Sequence, residues 1–104
     1  LNLNDTAHWR TDIDSLVFPI SEHGGLCAVH RRAFRTLLRQ EPKPDDCMAY
    51  FNGFEAAFRA AAVAKIALKH IPAGRNLHLT SRDIARKLVE MHPASQGDKQ
   101  CPSP

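Results

Sequence analysis

Six histidines, three cysteines and a local run of arginines are the residues in this 104-residue chain whose types could do chemistry. Cys27 and His30 make the closest thiol–imidazole pairing, the kind that a zinc site or a histidine-activated nucleophile would use. Around them, G-L-C-A-V-H at 25–30 reads as a strand, and side chains three apart on a strand point to opposite faces. The two cannot share an ion unless the strand ends between them. His8, His23, His70, His78 and His92 add neither H-x-x-x-H nor C-x-x-C spacing, so no metal and no cofactor is expected. Cys27 lies in an apolar strand, where a free cysteine behaves as a small buried hydrophobe, and core packing is the expectation. Cys47 falls near a helix start, where the helix dipole favours thiolate, but Asp45 and Asp46 oppose that effect. Cys101 stands among polar residues. Paired carboxylates, a phosphate-binding glycine loop and a nucleophilic serine elbow are all missing, so no catalytic residue is assigned and no enzyme is expected.

Arg31, Arg32, Arg35 and Arg39 are the sharpest concentration of charge in a chain whose net charge is +3. Guanidinium groups at that spacing can clamp phosphates, which makes nucleic-acid or anion contact the alternative function. No aromatic side chain interleaves with them on the same face and no nucleic-acid motif accompanies them. A solvated helix face is therefore expected.

These residues need elements to hold them. The chain has the length of one domain. Residues 1–14 lack sustained periodicity and read as a flexible arm anchored by Trp9. The stretch 15–20 (S-L-V-F-P-I) is apolar and β-rich, and Pro19, with no N–H, should mark an edge or an end. His23-Gly24-Gly25 supplies hairpin turn chemistry for a return strand at 25–30, with Cys27 and Val29 sharing one face. Ala33, Phe34, Leu37 and Leu38 then form a helical stripe, which Pro42 and Pro44 end.

Residues 47–71 read as one long helix capped by Asp45 or Asp46. Cys47, Tyr50, Phe54, Ala57, Ala61, Ala64, Leu68 and Ile71 alternate three and four apart and so lie on one stripe. Gly53 is its only interior breaker, costing about 1 kcal/mol relative to alanine. The stripe is aromatic at one end and nearly bare at the other, so something must approach closely at Ala57, Ala61 and Ala64. Val63 and Ile66 are apolar where solvent is expected. Together Ala57, Ala61, Val63, Ala64, Ile66 and Leu68 form the expected partner surface, with a homodimer as the partner. The stretch 76–80 (N-L-H-L-T) reads as a third strand with Leu77 and Leu79 inward. Thr80-x-x-Asp83 resembles a capping box for a last helix with Ile84, Leu88 and Met91 on its stripe. Residues 93–104 carry no core formers and are expected to be a disordered tail.

Trp9 before Val17-Phe18, Cys27 within G-L-C-A-V-H, Ala33-Phe34, F-x-x-x-F-R leading to Lys65, and Leu79-Thr80-x-x-Asp83 together resemble a family of small bacterial proteins known as domain of unknown function 1488. The likeness covers roughly residues 9–88 and implies a compact α+β fold with a small sheet against helices. It implies no activity. His30 departs from the pattern, because a small hydroxyl residue would be expected to open the following helix.

The expected fold is α+β, order β-β-α-α-β-α, in one domain at 15–92. The expected function is a non-catalytic interaction module. No run approaches the ~18–20 apolar residues of a membrane span. An odd number of cysteines without paired spacing argues for a reducing, cytoplasmic setting.

Overall fold

The structure, a computed structural model, describes residues 6–92. Four strands form one sheet, β1 (His8–Arg10), β2 (Ser15–Pro19), β3 (Leu26–His30) and β4 (Leu77–Leu79), in the order β1-β2-β3-β4. Four helices, α1 (Arg31–Leu38), α2 (Pro44–Gly53), α3 (Glu55–Lys69) and α4 (Ser81–Met91), complete an α+β fold. β1–β2 and β2–β3 pair antiparallel and β3–β4 pair parallel, so α1, α2 and α3 make up the crossover between β3 and β4. The order β-β-β-α-α-α-β-α has two elements more than the sequence suggests. The expected tail at 93–104 lies outside the described residues.

Alternation along the strands builds the core. Trp9, Leu16, Val29 and Leu79 form one cross-strand row, and Phe18, Cys27 and Leu77 form the next. The pleat puts both rows on the same face, which the helices cover. Leu77 and Leu79 face inward as expected. The first added element, β1, lies within the expected arm: three residues are too few for periodicity, but Trp9 opposite Leu16 supplies an apolar cross-strand pair. β2 is consequently internal and ends at Pro19. β1 reaches only Ser15, Leu16 and Val17, so the missing N–H of Pro19 falls beyond it.

The second added element comes from breaking the long helix. Phe54 adopts φ −129° and ψ 31° between α2 and α3. The rings of Phe51 and Phe58 stand 5.1 Å apart between centroids. On one straight helix seven residues rise about 10.5 Å. Breaking the helix just after Gly53 lets both rings enter one cluster, with Phe51 5.1 Å from Phe18 and Phe58 5.7 Å from Phe34. All four phenylalanines are buried.

Local chemistry sets the other boundaries. His30 caps α1: its Nδ1 accepts the Arg32 N–H at 3.0 Å, the role expected of a hydroxyl. α2 starts at Pro44 rather than after Asp45 or Asp46, because proline's fixed φ and absent N–H suit the first helical position. Asp46 accepts the Lys43 N–H at 2.8 Å. At α4 the expected capping box is complete, Thr80 accepting the Asp83 N–H at 3.2 Å and Asp83 the Thr80 N–H at 2.9 Å. On that helix Ile84 is buried, Leu88 half-buried and Met91 exposed.

The β2–β3 loop is pinned to the loop before β4. His23 Nδ1 accepts the Gly25 N–H at 3.2 Å, which leaves Nε2–H to donate to the Ile71 carbonyl at 3.2 Å, and the His23 carbonyl accepts the Gly74 N–H at 2.7 Å. A Cβ at Gly25 would stand 2.2 Å from the Arg75 carbonyl oxygen, whereas one at Gly53 meets nothing within 4 Å. In urea denaturation Gly25→Ala is expected to lower stability by about 1–3 kcal/mol. Gly53→Ala is expected to raise it by about 0.5–1 kcal/mol.

Candidate interaction surfaces

The strand chemistry separates Cys27 from His30. Cys27 faces the core between Phe18 and Leu77, while the His30 ring caps α1 at the surface. Burial pushes the Cys27 thiol up to about 12. Burial, followed by the Asp46 charge, pushes Cys47 up to about 11. Neither forms appreciable thiolate near neutrality. Among the described residues no group of three or more His, Cys, Asp and Glu side chains is placed to hold a metal ion. No helix among them is long and apolar enough to cross a membrane.

The arginine face is partly neutralised. Arg31 Nε donates to both Asp14 carboxylate oxygens at 3.1 and 3.0 Å, and Arg31 also pairs with Glu41. Arg35 Nη1 stands 3.5 Å from Glu41. Asp14 is presented by a left-handed backbone, φ 51°, and its carbonyl accepts the Arg31 N–H at 2.9 Å. Arg32 and Arg39 are exposed, with no carboxylate partner among the described residues. Sequence reading missed both acids. Asp14 reaches the face only through the β1–β2 turn, and Glu41 only by the chain folding back after α1.

The group that approaches the alanine stripe is α4. Lys65 Nζ contacts Asp83 Oδ2 and the His78 carbonyl, each at 2.9 Å, at one end of the packing. The rings of Phe54 and His92 meet at 5.9 Å at the other, so α4 runs antiparallel along α3. Ala57 and Ala61 are 1 % and 2 % exposed and are therefore removed from the expected partner surface. Ile66 is also corrected: it is half-buried against the core, because α3 turns that side toward the sheet. Ala64 is half-buried, whereas Val63 and Leu68 are 60 % and 70 % exposed.

Beside the packed alanines a groove of about 90 Å³ remains between α3 and α4. Ala61 and Ala64 floor it, with Leu68, Lys69, Arg86 and Lys87 around them. Lys87 pairs with Glu90 at 2.8 Å, and Lys65 with Asp83. Lys69 and Arg86 have no carboxylate partner among the described residues.

Burial pushes the Asp83 carboxyl up, but the Thr80 N–H and the Lys65 ammonium together outweigh it and hold the group below its ordinary 3.8. A lowered folded value means that the charge stabilises fully above the unfolded value and that this is lost as pH falls. The stability difference between the natural chain and Asp83→Asn is thus expected to be constant above pH 3.8 and to shrink below it, as followed by thermal melts against pH. Native-state thiol alkylation with peptide mapping is expected to spare Cys27 and Cys47, and both should label once denaturant is added. No family model, no curated protein and no solved structure matches the chain.

Proposed function

We propose that this chain is a non-catalytic interaction module that associates with a second copy of itself through the outer face of α3. The observation that carries this reading is Val63, an aliphatic side chain 60 % exposed in the middle of a regular helix. Ala56, Ala60, Val63 and Ala67 are spaced four, three and four apart, so they form one outward stripe with no charged member. Small side chains let two helix axes approach to the short end of the usual 8–10 Å range.

Burial of both described thiols in the core supports the non-catalytic part, and their free state suits a reducing, cytoplasmic setting. The likeness to domain of unknown function 1488 rests on the quoted sequence positions alone and brings no activity with it. Arg31 and Arg35 are engaged by Asp14 and Glu41, which leaves the alternative, anion contact through the arginine face, with half its guanidinium groups.

One helix face is small beside the roughly 800 Å² per partner of stable complexes, so the association is weak. Sedimentation velocity across the micromolar range is expected to show a coefficient that rises with concentration. Val63→Glu, an exposed change that leaves the core intact, is expected to remain monomeric throughout. A natural chain that stays monomeric overturns self-association.

A further inference from the structure

The groove between α3 and α4 is lined from α3 by Ala61, Ala64, Lys65, Leu68 and Lys69 and does not include Val63. From its shape and charge we infer that it docks an acidic amphipathic helix from a different protein, which inserts one aliphatic side chain and sets carboxylates against Lys69 and Arg86. The inference builds on the interaction-module reading but not on self-association.

Size selects the kind of occupant. The groove holds about 90 Å³, whereas small-molecule sites run to roughly 300–1,000 Å³. An acyl chain or a drug-sized ligand has no room; a single leucine or isoleucine side chain does. Shape selects the element. Two antiparallel helices leave a straight, parallel-sided furrow, and a third helix meets such a furrow with anchors three and four residues apart.

Charge selects the sign. Lys65 and Lys87 already have carboxylates, at 2.9 and 2.8 Å. Lys69 and Arg86 have none among the described residues, and both are exposed beside the apolar floor. Leu68, 70 % exposed, extends that floor toward solvent. A partner with carboxylates flanking its apolar anchor satisfies both cations without disturbing the Lys65–Asp83 bridge. The acidic start of the chain's own α2 is no such segment: Asp45 and Asp46 belong to a helix whose apolar residues Cys47 and Phe51 are buried in its own core.

The test uses the full chain and a fluorescent synthetic helix with leucines three and four apart and glutamates on either side, read by anisotropy. Saturable binding is expected, weakening with added salt and falling at least about tenfold for the Lys69→Glu, Arg86→Glu double variant. Both are surface changes, and circular dichroism checks that the variant folds. Val63→Glu is expected to bind the peptide normally, so loss of self-association and loss of docking read out separately. Absent binding, equal binding of a shuffled peptide of the same composition, or indifference to the double variant overturns the inference. Displacement of the peptide by decanoate would replace the partner helix with a lipid and overturn it too.

Discussion

Phe51 and Phe58 must occupy the same core, and one straight helix would hold them too far apart. Their meeting at 5.1 Å forces the break at Phe54, and that break sets the direction of everything after it. α2 can then carry Phe51 onto Phe18 while α3 carries Phe58 onto Phe34, so one cluster joins sheet, α1, α2 and α3. The energy at stake is that of buried aromatic rings, for which truncation commonly costs about 3–5 kcal/mol. Carrying the helix through Gly53 already costs about 1 kcal/mol relative to alanine, so the rings win.

With α3 placed by Phe58, its neighbouring faces follow. Ala62 lies under the sheet side, and Ala57 and Ala61 receive α4. Lys65 locks that arrangement by reaching both the carboxylate that caps α4 and the carbonyl of β4. What is left over is the outer stripe around Val63 and the furrow beside Ala64. Both are apolar surfaces that the chain's own elements do not cover, and they differ in charge: the stripe is neutral, the furrow is edged with cations.

Much of this was legible in the residues. The apolar run at 15–20, the shared face of Cys27 and Val29, and the inward Leu77 and Leu79 announced three strands, and Thr80 with Asp83 announced the start of α4. The close approach at Ala57 and Ala61 was legible as well, but not that α4 makes it. Spacing records a face and says nothing of which element covers it. The helix break was hidden because three-and-four spacing runs through Phe54 undisturbed; the constraint is tertiary, held by ring pairs with Phe18 and Phe34. β1 was hidden by its brevity, and the pairing of Arg31 with Asp14 and Glu41 by separation along the chain. His30 showed the opposite case: a residue that seemed out of place performs the expected cap through a ring nitrogen.

We propose the outward side of α3 as an interface in solution rather than bare surface. Methyl NMR spectra on dilution test it most directly, because Val63 and Val29 are the same residue type at 60 % and 0 % exposure. Self-association through α3 is expected to move the Val63 methyl signals with protein concentration while those of Val29 stay fixed. Val63 signals that do not move across the same range would contradict it.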